Sequence, residues 1–117
     1  MARMTMTILL ALLQASPEPA QQSHAPGARV PAQFTLDKRK PTGGGRTTAI
    51  YDHYPPEVSF DGGPRVKCKF FPGRGGMAPG ETQRIEFACD TPTRTGQSFK
   101  VFERGRPVGG GMVLTRD

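Results

Sequence analysis

The two cysteines of this chain are the residues best suited to covalent chemistry. Cys68 and Cys89 each fall on the apolar side of an alternating segment, so both thiols are expected to face the protein interior. In an oxidising compartment they would form a disulfide that closes a loop of about 20 residues and adds up to roughly 3 kcal/mol of stability. In the cytosol they would remain buried free thiols. The sequence favours the disulfide and leaves both alternatives open.

Nucleophilic and metal chemistry have little support in the sequence. Asp52-His53 with Cys68 could supply a base and a nucleophile, but the lysines beside Cys68 fall on the opposite side of its strand. His53 is more typical of an exposed turn. The two histidines and two cysteines have no Cys-x-x-Cys or His-x-x-x-His spacing, so no metal site is predicted. No cofactor is predicted either, and the chain is interpreted as a protein that is not an enzyme.

Positive charge is the feature that points most directly to a binding partner. The chain has 16 Lys and Arg against 10 Asp and Glu, a net charge of +6. One side of a predicted strand would carry Arg65, Lys67 and Lys69, and Arg104 and Arg106 lie at a later turn. Such residues attract RNA, anionic lipid headgroups or acidic polysaccharide, although they would equally serve solubility. No aromatic residues alternate with them, so sequence-specific RNA reading is not predicted.

A glycine run offers a second way of binding phosphate. Residues 43–45 are all glycine, with the basic residues 38–40 before them and Arg46 after them. Successive backbone N–H groups in such a loop can hold an anion. A plain hairpin loop explains the same composition, and this explanation is favoured.

Short strands are the elements expected to position these residues. Alternation with a period of two is typical of half-buried strands. It is seen in these apolar sets: Phe34 and Leu36; Val58 and Phe60; Val66, Cys68 and Phe70; Ile85, Phe87 and Cys89; Val108, Gly110, Met112 and Leu114. The 15 glycines and 12 prolines cluster between the sets. Residues 32–117 are therefore predicted to form an all-β domain, a small antiparallel barrel of six or seven strands.

The N-terminal residues have the features of an export signal. Arg3 precedes an apolar stretch that is too short for a transmembrane helix, so residues 1–25 are predicted to be a signal peptide. Residues 26–31 are predicted to be a linker. A secreted or periplasmic protein without a transmembrane segment is expected. A disordered tail or a misassigned start is the alternative, with a cytoplasmic location.

Several short motifs resemble one known barrel when they are read in order. They are Phe34 to Leu36; Gly44-Gly45-Arg46-Thr47-Thr48; Tyr54-Pro55-Pro56 followed by Val58-Ser59-Phe60; Met77-Ala78-Pro79-Gly80-Glu81; and the closing hairpin from Ser98 to Leu114. Together they resemble the C-terminal (third) β-barrel domain of translation elongation factor Tu, as a stand-alone domain. In that family the domain packs on a GTPase domain and contacts the T-stem of aminoacyl-tRNA.

The resemblance implies an RNA-contacting role for a few residues. The Gly-Gly-Arg turn maps to Arg46, and the closing hairpin maps to Glu103 and the turn at Gly105. The chain departs from the family at Thr47, where the family has histidine, and at Arg104, where it has glycine. The sequence also contains no Gly-x-x-x-x-Gly-Lys-Ser/Thr phosphate loop.

The leading hypothesis is an exported, non-enzymatic binding or structural module whose ligand is unknown. The alternative is a cytoplasmic, translation-related protein that binds tRNA or a factor. The residues predicted to bind RNA or another polyanion are Arg46, Arg65, Lys67, Lys69, Glu103, Arg104 and Arg106.

Overall fold

Short strands joined by glycine- and proline-rich turns account for the regular structure of the chain. A computed structural model describes residues 22–116, so the predicted signal segment, residues 1–25, lies almost entirely outside the described residues. The described residues are all-β, as predicted. The strands are β1 (Ser23–His24), β2 (Val30–Leu36), β3 (Glu57–Phe60), β4 (Arg65–Phe71), β5 (Thr82–Cys89), β6 (Thr93–Arg94), β7 (Ser98–Glu103) and β8 (Arg106–Val113).

Six of these strands close into an antiparallel barrel, which confirms the predicted fold class. Their order is β2-β5-β4-β3-β7-β8, and β8 pairs with β2 to complete the ring. The strands β1 and β6 form a separate two-stranded sheet. Because every barrel strand has a partner on both sides, the barrel leaves no strand edge unpaired.

The barrel interior is filled by the apolar residues that the alternation predicted. Phe34, Phe70 and Phe87 are completely buried. Phe34 and Phe70 meet edge to face with ring centroids 5.0 Å apart, and the centroids of Phe70 and Phe87 are 5.4 Å apart. Aromatic pairs at these separations add to the stability that burial alone provides. Most of the outward positions between the buried ones carry polar or charged side chains.

The last strand differs from its prediction. Val108 is buried, as expected, but Met112 is 47% exposed and Val113 is buried in its place. The pairing of β7 with β8 shifts between Val101 and Phe102, where Val101 faces Gly109 and Phe102 faces Pro107. The extra residue at this bulge reverses the inside and outside positions that follow it. The prediction that Val108, Gly110, Met112 and Leu114 share one face is therefore wrong.

Glycines in β8 allow the barrel to close. A Cβ atom on Gly111 would lie 1.8 Å from the carbonyl oxygen of Gln33 on β2, and one on Gly109 would lie 2.3 Å from that of Thr35. No other residue fits at such distances without moving the backbone. Residues 109–111 therefore mark a close approach between strands.

Residues before the predicted domain boundary also contact the barrel domain. Ser23–His24 pairs with Thr93–Arg94, and the Gly27 N–H donates a hydrogen bond of 2.8 Å to the Cys89 carbonyl. Val30 is 2% exposed and begins β2. Residue 32, where the domain was predicted to begin, thus lies inside a barrel strand. Residues 22–116 include no helix long and apolar enough to cross a bilayer.

Candidate polyanion-binding face

A disulfide fixes the strand that carries most of the predicted basic residues. Cys68 on β4 and Cys89 on β5 face each other in the antiparallel register, with Cα atoms 4.0 Å apart, and their sulfur atoms are bonded. Both residues are 4% exposed. Of the two alternatives left open by the sequence, the structure therefore contains the disulfide, which ties β4 to its neighbour.

The outer side of β4 carries a row of basic side chains. Arg65, Lys67 and Lys69 are exposed, while Cys68 and Phe70 of the same strand point inward. Within residues 22–116, none of the three basic side chains has a carboxylate within ion-pairing distance. Two acidic residues stand nearby, since Glu57 on β3 is the cross-strand neighbour of Lys67 and the Asp90 N–H donates to the Lys67 carbonyl.

Lys100 extends this row onto a third strand, and sequence reasoning missed it. Ser59 on β3 pairs with Arg65 on one side and with Lys100 of β7 on the other. The two basic residues are thus separated by two strand spacings, about 10 Å. The signal was present in the sequence, because Ser98, Lys100 and Phe102 alternate with the buried Phe99 and Val101. The pairing of β7 with β3, by contrast, could not be predicted from the sequence.

Arg104 joins the same surface at the β7–β8 hairpin. Arg104 and Gly105 have φ angles of 52° and 81°, the left-handed conformations of a tight two-residue turn. Arg104 borders a depression of about 300 Å³. This depression shares Pro55, Pro56 and Glu57 with a second one, of about 570 Å³, that is bordered by Lys67 and Lys69. We call the surface formed by Arg65, Lys67, Lys69, Lys100 and Arg104 the basic face.

Arg106 lies outside the basic face, although only one residue separates it from Arg104. Its Nη1 donates a hydrogen bond of 2.9 Å to the carbonyl oxygen of Gly43. It borders a different depression, of about 270 Å³, together with Lys40 and Pro107. Arg106 therefore holds the loop of residues 37–46 against the hairpin.

Arg46 and Glu103 form a cluster with Tyr54 that satisfies their charges internally. Arg46 Nη1 donates to Glu103 Oε1 in a close ion pair, and the Tyr54 hydroxyl donates to the same oxygen over 2.6 Å. The guanidinium also donates to the Thr48 carbonyl over 3.1 Å and to the Thr48 hydroxyl over 2.9 Å. The side chains of Arg46 and Glu103 are only 18% and 27% exposed. We call these residues the Arg46 cluster.

The Arg46 cluster shifts the pKa values of its acidic members. Burial raises the pKa of Tyr54 well above its ordinary range, and the hydrogen bond to Glu103 raises it further. For Glu103, burial favours the neutral acid, but the hydrogen bonds from Tyr54 and Arg46 and the charge of Arg46 outweigh it. The pKa of Glu103 is therefore lowered. The carboxylate stays charged and the phenol stays neutral at physiological pH.

The glycine run forms a closed loop. The Gly43 N–H donates to the Lys40 carbonyl over 2.8 Å, and the Gly45 N–H donates to the Pro107 carbonyl over 2.9 Å. The Arg46 N–H donates to the Asp37 carbonyl over 2.9 Å. Since these N–H groups are already paired, the loop does not present them as a cradle for phosphate, and the hairpin-loop explanation agrees with the structure.

The structure does not assemble Asp52, His53 and Cys68 into a nucleophilic site. Cys68 is bonded to Cys89 and provides no free thiol. Asp52 accepts a hydrogen bond of 2.9 Å from the Gly73 N–H. His53 packs edge to face on Phe71, with centroids 5.1 Å apart. Each of the three side chains has a structural contact of its own.

Comparisons with known proteins add no further constraint. No protein family and no curated protein matches this chain. The function is therefore argued from the barrel and its surface.

Proposed function

We propose that this chain is a non-enzymatic binding module that holds an anionic polymer on its basic face. The observation that carries the proposal is a set of exposed basic side chains on β4, on β7 and at the β7–β8 hairpin. Within residues 22–116 none of them has an ion-pair partner. The five basic residues outnumber the three carboxylates that border the same depressions, Glu57, Asp90 and Glu103. Such a surplus raises the local concentration of polyanions and speeds their association.

The fold supports a kinship that we also propose, with the third domain of elongation factor Tu. A closed six-stranded antiparallel barrel is compatible with that domain. Two of the motifs that carry the resemblance meet in space, since Arg46 of the Gly-Gly-Arg turn pairs with Glu103 of the closing hairpin. In this chain the two residues satisfy each other, so they give no support to a tRNA-contacting role.

We propose that the module works outside the cytosol. The Cys68–Cys89 disulfide supports this location, because such bonds persist in oxidising compartments. Mass spectrometry of the mature N-terminus tests it. A chain that keeps residues 1–15 and carries reduced cysteines in its native compartment would refute export.

Charge reversal on the basic face tests the proposed function. Inorganic polyphosphate is the probe, because it is a flexible polymer of anions without rings. Lys67→Glu/Lys69→Glu is expected to weaken its binding by about a hundredfold at low salt, as two attractive contacts become repulsive. The matched control, Arg39→Glu/Arg94→Glu, makes the same change in net charge at exposed residues outside the basic face. Equal losses in both variants would show that net charge, and not this face, is responsible.

A further inference from the structure

We infer that the polymer held by the basic face is a single-stranded nucleic acid whose bases stack on two arginine–phenylalanine pairs. This inference rests on the proposed function and specifies its ligand. The guanidinium carbon of Arg65 lies 3.9 Å from the centroid of the Phe102 ring. The guanidinium carbon of Arg29 lies at the same distance, 3.9 Å, from the centroid of Phe71. No aromatic residues alternate with the basic ones along the sequence, but the fold brings Phe71 and Phe102 beside them.

The two pairs lie at opposite ends of one row. Arg65, Lys67, Lys69 and Phe71 are alternate residues of β4 and share its outer side. At about 3.4 Å per residue, the row is about 20 Å long. Phe102 on β7 contacts Arg65, the first residue of the row. Arg29, which lies just before β2, covers Phe71, the last residue of the row. Lys67 and Lys69 therefore stand between two stacked guanidinium groups.

Each guanidinium lies over its ring, and that of Arg29 has further contacts that fix it. Arg29 is oriented by a hydrogen bond of 3.1 Å from its Nε to Glu86 Oε1, while its side chain remains 55% exposed. His53 contacts the edge of the Phe71 ring and helps to fix it. Arg65 is also exposed. A planar group that is already ordered loses little entropy when a ligand stacks on it.

This arrangement matches the chemistry of a nucleic acid strand better than that of a ringless polyanion. Guanidinium planes and aromatic rings are the surfaces on which unpaired bases stack, whereas lysine acts as a point charge on phosphate. The row has a stacking group at each end and two lysines between them, so a strand with its phosphates at the lysines places bases at both ends. Polyphosphate would use only the charges. Small β-barrels that bind single strands combine a basic groove with stacking platforms in the same way.

The experiment compares two strands with the same number of phosphates. Binding of an oligothymidylate of about twelve nucleotides and of an abasic strand of equal length is measured by fluorescence anisotropy at fixed salt. The wild-type protein is expected to bind the oligothymidylate at least about tenfold more tightly, since each stacked base contributes to affinity. Arg65→Lys keeps the charge and removes the plane, so it should weaken oligothymidylate binding about fivefold or more and leave abasic binding within about twofold.

The matched control is Arg94→Lys, at an exposed arginine of β6 outside the basic face. It should change neither affinity. Equal affinity of the wild-type protein for the two strands would overturn the inference while leaving polyphosphate binding, and so the proposed function, intact. A loss of both affinities to the same extent in Arg65→Lys would also overturn it. Circular dichroism of each variant confirms that the barrel is folded.

Discussion

The Arg46 cluster and the basic face differ in what surrounds their charges. Arg46 lies in a pocket of acceptors, where Glu103 and the Thr48 hydroxyl and carbonyl receive its N–H groups. Lys67 and Lys69 stand in solvent, without a carboxylate in ion-pairing distance among the described residues. The sequence assigned all of these residues to one polyanion site. A count of positive residues therefore overstates the charge that a ligand can use.

The difference also separates stability from binding. A partly buried, hydrogen-bonded ion pair is costly to break, because removing one partner leaves the other desolvated and unpaired. An exposed lysine contributes little to the free energy of unfolding. We therefore expect substitutions in the Arg46 cluster to change stability, and substitutions on the basic face to change ligand affinity.

The largest effect on stability is expected at the disulfide that anchors the basic row. Cys68→Ala/Cys89→Ala opens a loop with a sequence separation of 21 residues, and the free energy of unfolding should fall by about 3 kcal/mol. Urea denaturation measures the loss, and the reduced wild-type protein serves as the control. At temperatures where the variant stays folded, its polyphosphate affinity should match that of the wild type. A variant of unchanged stability would contradict the role given to this bond.

Breaking the Arg46 cluster should have the next largest effect. Glu103→Gln removes the carboxylate and leaves a guanidinium that is 18% exposed without its counter-charge, so the free energy of unfolding should fall by about 2 kcal/mol. Urea denaturation at neutral pH provides the measurement. Glu57→Gln is the matched control, because Glu57 is exposed and makes no ion pair within residues 22–116. Equal losses for the two variants would show that the Arg46 cluster contributes no more to stability than an exposed carboxylate does.

The pH dependence of stability should identify the Arg46 cluster. Because the folded-state pKa of Glu103 is lowered, its contribution is present above its ordinary value of 4.5 and is lost as the pH falls through the folded value. Because the folded-state pKa of Tyr54 is raised, its contribution is lost as the pH rises above its ordinary value of 10.0. Glu103→Gln should flatten the acid side of the profile relative to the wild type. An unchanged acid limb would contradict this account.

Removing one hydrogen bond from the cluster should have a smaller effect. Tyr54→Phe keeps the ring that packs on Phe70 with centroids 6.1 Å apart and deletes only the donor to Glu103. We expect a loss of about 1 kcal/mol in the free energy of unfolding. Tyr51→Phe is the matched control, since Tyr51 is 62% exposed. Thermal denaturation of both variants gives the comparison, and a larger loss for Tyr51→Phe would argue against the cluster.

The smallest effect on stability is expected on the basic face. Lys67→Gln/Lys69→Gln should change the free energy of unfolding by no more than about 0.5 kcal/mol, because both side chains are exposed and form no ion pair with any residue from 22 to 116. The same urea experiment detects it. A loss as large as that of Glu103→Gln would show that Lys67 and Lys69 stabilise the fold.

Much of the barrel could be predicted because its signals are local. The alternation in Arg65–Phe71 and Thr82–Cys89 places every core residue of these strands on the correct side. The turn between the two strands is predicted by its glycine and proline residues. The reversal after Val108 could not be predicted, since the bulge depends on how β8 meets β7. Pairing of Ser23–His24 with Thr93–Arg94 joins two very short segments that have no periodic signal of their own.

The exposure of the basic residues could be predicted from the sequence, but their contacts with distant residues could not. The exposed positions of Arg65, Lys67 and Lys69 follow from the alternation. The pairing of Arg46 with Glu103 spans 57 residues of sequence, and the stacking of Arg65 on Phe102 depends on the order β4-β3-β7. Contacts of this range are set by the closure of the barrel, and no local pattern encodes them.

The salt dependence of polyphosphate binding tests the central claim most directly. The slope of log K against log salt concentration should fall by about two in Lys67→Gln/Lys69→Gln, one for each lost phosphate contact, and should keep its wild-type value in folded Arg46→Gln. The unfolding free energy should show the opposite pattern, unchanged in the first variant and lowered in the second. A slope that falls in Arg46→Gln and stays constant in the lysine variant would contradict the division between the Arg46 cluster and the basic face.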